Sequence, residues 1–110
     1  MIHDPDSPSW LTEACPAWCA REHREADHPE DRYHQSEPAI VPVIASLAPL
    51  VPVPASFEPA DLVVRRCRYV ADAVEWLAVE TLEAAHLRLV LTLESARRLV
   101  RAVADQVEAS

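Results

Sequence analysis

The chain has 110 residues, with no glycine and no lysine among them. Without glycine there is no phosphate-cradling loop of the P-loop or dinucleotide type. Every turn must also be built from residues that enter positive φ at a cost, or must avoid that region. Without lysine, all ten positive charges are arginines, a bias that a GC-rich coding sequence produces and that carries no chemistry by itself. No run of 18 apolar residues occurs. The stretch from Ala39 to Phe57 comes closest, and its prolines exclude a spanning helix. The start, Met1-Ile2-His3-Asp4-Pro5, lacks the basic and apolar regions of a signal peptide, so a cytoplasmic chain is expected. The serines sit in no nucleophile-elbow pattern.

What is present is acidic and globular. Half of the residues are apolar and a quarter are charged, which is the composition of a folded domain. The net charge is −8 and it is uneven. Residues 1–37 carry nine acids against three arginines, and residues 38–110 carry nine against seven. Such a chain gains little from counterion release on phosphate backbones, so neither nucleic acid nor an anionic membrane is the expected partner. At this length one domain with a thin core is expected.

The chemistry-bearing residues are concentrated near the front. Cys15-Pro16-Ala17-Trp18-Cys19, His23 and His34 place two thiols and two imidazoles within twenty residues of a chain with three cysteines. In a reducing compartment a close Cys pair with nearby His reads as a metal site before it reads as a disulfide. Zn²⁺ takes four such ligands in a tetrahedron, and a small domain often needs that kind of staple. The spacing, C-x3-C-x3-H-x10-H, differs from the common finger pattern. A metal-free hydrogen-bonded cluster and a Cys15–Cys19 redox pair therefore stay open, as does His28 in place of His34. If Pro16 opens a helix, Cys15, Cys19 and His23 share one face of it. Trp18 is expected to cover the site, with Trp10 and Leu11 tucked against it, and Cys67 to be a half-buried strand residue.

Along the chain, residues 1–14 read as a loose arm and 15–37 as the Cys/His segment. Residues 38–59 hold six of the ten prolines between aliphatic residues, which excludes helix and leaves an edge strand or an extended apolar strap. Residues 61–70 read as a strand, followed by a turn at Asp72-Ala73. Residues 74–91 fit both a helical stripe and an alternating strand, and the pattern alone leans slightly to helix. Thr92 is a good N-cap, and the apolar stripe that follows predicts a helix from Leu93 to Glu108 with Arg97, Arg98 and Arg101 on its wet side.

Two motifs together resemble a family of small actinobacterial proteins, a domain of unknown function. Its members open with Cys-Pro-x-Trp-Cys-x-x-x-His, carry a second His further on, and close with a Leu-Thr-Leu-x-x-Ala-Arg-x-Leu helix start. Here these are Cys15 to Cys19 with His23 and His34, and Leu91-Thr92-Leu93-Glu94-Ser95-Ala96-Arg97-Arg98-Leu99. The resemblance implies short strands between the motifs, which tips residues 74–91 toward strands. It implies no activity. The expected fold is α+β: a zinc-knuckle-like Cys/His segment, a short antiparallel sheet and one C-terminal helix packed on it.

Three functions compete. The first is a zinc-stabilised protein-interaction or regulatory module, with a protein partner on the Pro-rich strap or a second copy on the sheet edge. The second is a metal-dependent hydrolase with an open zinc site, in which His34 is free and Glu22 or Glu25 serves as base. The third is a zinc-containing nucleic-acid-binding module using Arg65, Arg66 and Arg68, which the charge opposes.

Overall fold

The computed structural model describes residues 7–46, 54–82 and 88–109, and they form an α+β fold. Five strands make one antiparallel sheet: β1 (Tyr33–Gln35), β2 (Ala39–Ser46), β3 (Phe57–Tyr69), β4 (Trp76–Thr81) and β5 (Arg88–Thr92). The helix α1 (Leu93–Glu108) follows β5 directly and contacts β5 and β4. The Cys/His segment lies ahead of β1.

The sheet is organised on β3. Its 13 residues pair with β4 on one side and with both β1 and β2 on the other. Gln35 lies opposite Cys67, whereas Ala39 lies opposite Val64. Three residues, Ser36 to Pro38, therefore face only Arg65 and Arg66, which is a bulge. Pro38 has no N–H to give a ladder and fits there. Ser36 closes the bulge: its N–H donates to the Arg66 carbonyl at 2.9 Å, and its Oγ accepts from the Arg66 N–H at 2.9 Å. The Pro-rich segment thus begins as the edge strand β2, with Pro42 in it opposite Asp61. The remainder of the expected strap, residues 47–53, lies outside the described residues.

Residues 74–91 resolve into β4 and β5, with residues 83–87 outside the described set. The register Val64↔Val79↔Leu89 explains the choice. Alternate apolar residues find partners across strands, which a helix over the same residues would forgo. The turn after β3 is centred on Val70-Ala71, two residues earlier than the Asp72-Ala73 expectation: the Asp72 N–H donates to the Tyr69 carbonyl at 3.1 Å. Within it Ala71 has φ 67°, the one positive φ among the described residues. A side chain with Cβ costs about 1–2 kcal/mol in this region. Glycine returns part of that gain through its freer unfolded chain. Ala71→Gly is accordingly expected to stabilise the protein by about 1 kcal/mol, read as a Tm rise of about 4–8 °C.

The helix begins as its sequence predicts. Thr92 caps it by accepting from the Ser95 N–H at 3.2 Å, and Glu94 occupies the first turn. Among the described residues the buried apolar side chains are Val63, Ala78 and Ala96, a thin core. No helix among them is long and apolar enough to cross a membrane.

Candidate metal centre

Strand alternation decides where β1 sends its side chains. His34 and its cross-strand partner Arg68 share one face with Arg66, while Tyr33 and Tyr69 pair on the other, ring centroids 5.8 Å apart. The Cys/His segment packs on the His34 face. Trp18 meets His34 edge-on at 6.3 Å, and the Arg66 guanidinium lies 4.8 Å over the Trp18 ring. His34 is completely buried.

The helix expected from Pro16 does not form. Residues 16–19 make a single turn, with the Cys19 N–H on the Pro16 carbonyl at 3.0 Å. Cys19 then bridges Ser36, and the Ala20 N–H donates to the Gln35 carbonyl at 2.9 Å. Backbone donors that a helix would use four residues back are spent on β1 instead. This brings Cys19 to the side of the sheet where His34 stands.

The result is a Cys₂His₂ cluster capable of coordinating a metal ion. One donor atom from each of Cys15, Cys19, His23 and His34 lies within 4.8 Å of every other. Cys19 Sγ is 3.6 Å from His23 Nε2. A tetrahedral zinc with ordinary bond lengths sets a sulfur–nitrogen edge of about 3.6 Å. The imidazole rings of His23 and His34 stand nearly perpendicular, 5.2 Å between centroids. His34 Nδ1 is buried without a protein partner, which leaves it available as a donor. His28 is elsewhere: its Nδ1 accepts from the Glu30 N–H and caps the 3-10 turn Pro29–Asp31.

The other nitrogen of His34 is held by a residue that sequence reasoning missed. Glu13 Oε1 lies 2.9 Å from His34 Nε2, accepts from the Ala71 N–H at 3.1 Å, and meets Arg68 Nη1 at 3.3 Å. A carboxylate behind a ligating histidine fixes the ring's orientation and tautomer. Burial pushes the Glu13 carboxyl up, but His34, the Ala71 amide and Arg68 outweigh it and hold the group below the ordinary carboxylate range. Trp10, expected to tuck in, does so: it meets His23 edge-on at 5.6 Å, and its Nε1 donates to the Arg24 carbonyl at 2.8 Å.

Two of the four cluster groups are shifted toward their neutral forms. Burial, then the Cys19 thiol and the Glu13 carboxylate, push the Cys15 thiol up. Burial, then His34 and Arg21, push His23 down against the pull of Asp27. Neutral imidazole is the coordinating form of histidine, and a bound dication reverses the cost of a thiolate. Cys67 stays apart on the sheet, its thiol pushed up by burial against the opposing effect of Arg88. The hollow of about 420 Å³ between Tyr33, Cys67, Tyr69, Trp76 and Val90 contains none of the four cluster residues.

The two candidate bases are occupied elsewhere. Glu22 pairs with Arg24 at 3.2 Å, and Glu25 accepts from Ser9. Of the arginines considered for an anion patch, Arg66 pairs with Glu75 and Arg68 with Glu13.

No curated protein and no solved structure matches the chain. A small domain with its Cys/His cluster ahead of an antiparallel sheet and a final helix is what the sequence family match spans: over residues 2–109 the chain matches Domain of unknown function (DUF6907), and it belongs to that family.

Proposed function

We propose that this chain is a zinc-stabilised protein-interaction or regulatory module of the cytoplasm, with Cys15, Cys19, His23 and His34 as the ligands of one structural Zn²⁺. The observation that carries this reading is the convergence of four soft or borderline donors within 4.8 Å, with Glu13 bracing His34 from behind. Zinc held there supplies a cross-link between the N-terminal segment and β1. The thin core gives that cross-link something to do.

Four protein donors fill a tetrahedron and leave no position for a reacting water. With Glu22 and Glu25 engaged away from the cluster, a hydrolase lacks both its open site and its base. The net charge of −8, with Arg66 and Arg68 neutralised, disfavours a nucleic-acid partner. The surface offered to a protein partner is the edge strand β2, where Ile40, Val41 and Ile44 are exposed. An extended apolar peptide adding beside it is the matching mode.

The test is elemental analysis of the full chain purified without chelator, followed by Co²⁺ substitution. One zinc per chain and the intense visible bands of tetrahedral cobalt with thiolate ligands are expected. Metal-free protein that folds normally, or an octahedral cobalt spectrum, overturns the reading.

A further inference from the structure

The helix α1 buries only Ala96, although its apolar residues fall on a single stripe. Leu99, Val100, Val103 and Val107 follow Ala96 along one side of the helical repeat. They are 43%, 64%, 51% and 78% exposed. Four aliphatic positions on one side of a 16-residue helix, facing water, are an unpartnered surface among the described residues and not scattered surface residues. The radius of gyration is 18.0 Å, against about 13 Å for a compact domain of this length.

Charge identifies what covers the stripe. The helix carries Glu94, Asp105 and Glu108 against Arg97, Arg98 and Arg101, so it is electrically neutral in a chain of −8. The excess negative charge sits mainly in residues 1–37, outside the helix. The helical charges are also segregated: after Glu94 come the three arginines, Arg97, Arg98 and Arg101, and the acids Asp105 and Glu108 follow at the end. Glu94 is already occupied by Arg98 at 2.8 Å. On the helical repeat Arg97, Arg101 and Glu108 flank the same side of the stripe. Two copies laid antiparallel about a two-fold axis bring like flanks together with their ends reversed. Arg97 of one copy then runs beside Glu108 of the other, twice across the two-fold axis. A parallel pair brings unlike flanks together and sets Arg97 and Glu108 against the uncharged flank of Ser95, Ala102 and Gln106, so both go unpaired.

We propose that α1 is a homodimerisation helix, pairing antiparallel with α1 of a second copy of this chain through Leu99, Val100, Val103 and Val107. The interface is isologous, as two-fold dimers require. It is separate from the metal cluster and does not rest on the presence of zinc.

Sedimentation of the full chain over a concentration series tests this. Wild type is expected to sediment as a dimer of the 12.3 kDa chain. Val100→Glu with Val103→Glu is expected to raise the dimer Kd by about 100-fold or more, with far-UV circular dichroism and metal content unchanged. The charge swap provides the second variant, independent of core burial. Arg97→Glu alone and Glu108→Arg alone each weaken the dimer, and the two together restore it. A wild-type monomer, with the stripe covered by the chain's own residues 47–53 or left bare, overturns the proposal. So does a dimer held through the sheet edge, which survives the double valine change. Failure of the charge swap to restore association overturns the antiparallel pairing.

Discussion

Cys19→Ser is expected to abolish stoichiometric zinc and to lower the melting temperature by more than about 20 °C. Structural zinc contributes on the order of 10 kcal/mol to the folding of small modules. A whole domain is stable by only about 5–15 kcal/mol. Here the described core is Val63, Ala78 and Ala96, so little else can absorb the loss. At about 4–8 °C per kcal/mol, a loss of about 5 kcal/mol already corresponds to about 20–40 °C. A strong chelator added to wild type should reproduce the effect. The control is Cys67→Ser, which removes a thiol of the same chemistry from a half-buried strand position outside the cluster. It is expected to keep the zinc and to move the melt by only a few degrees. Equal melts for Cys19→Ser, Cys67→Ser and chelated wild type would show that no metal holds the front of the chain.

The second large effect is expected at Glu13. Its carboxylate serves three donors at once: a fully buried imidazole, the Arg68 guanidinium and the Ala71 amide. Glu13→Ala leaves His34 Nε2 without a partner inside the protein. A buried donor left unsatisfied costs about 1–3 kcal/mol. Loss of a carboxylate behind a ligating histidine weakens metal binding about 10–100-fold. Both consequences should appear together, as a lower melt and as faster loss of zinc to a competing chromophoric chelator. Glu13→Gln keeps an acceptor but removes the charge, so it should fall between wild type and alanine in both. If Glu13→Ala lowers the melt while zinc affinity stays at the wild-type value, the residue braces the turn and not the ligand.

The four cluster residues were legible because cysteine and histidine are rare here and lie close together in sequence. Helix α1 was legible for a different reason: capping by Thr92 and a 3.6-residue stripe are local properties that packing did not override. Pro42 barred a central strand, which left an edge strand or an extended strap for this stretch, and pairing with β3 makes residues 39–46 the edge strand. Glu13 was not readable. It is one acid among nine in residues 1–37, and its partners lie 21, 55 and 58 residues away. The helix suggested by Pro16 failed on tertiary grounds, since the amide of Ala20 found the carbonyl of Gln35 across the segment. Residues 74–91 carried two periodicities, and the helical one, to which the pattern leans slightly, lost to β4 and β5. Only pairing with β3 separates them, and a single segment does not contain its neighbour. The exposed stripe of α1 had the opposite fate: its apolar pattern was plain, but nothing in the pattern says whether this chain or another one covers it.

The span of Glu13's contacts bears on the order in which the molecule assembles. All four cluster residues fall between positions 15 and 34, a loop short enough to close early at small entropic cost. The carboxylate that orients one of them waits for the hairpin at Arg68 and Ala71, which leaves the ribosome much later. On the proposed zinc reading, a nascent chain is expected to capture the ion loosely while the sheet is still unmade, and to retain it tightly only when β3 has emerged and docked.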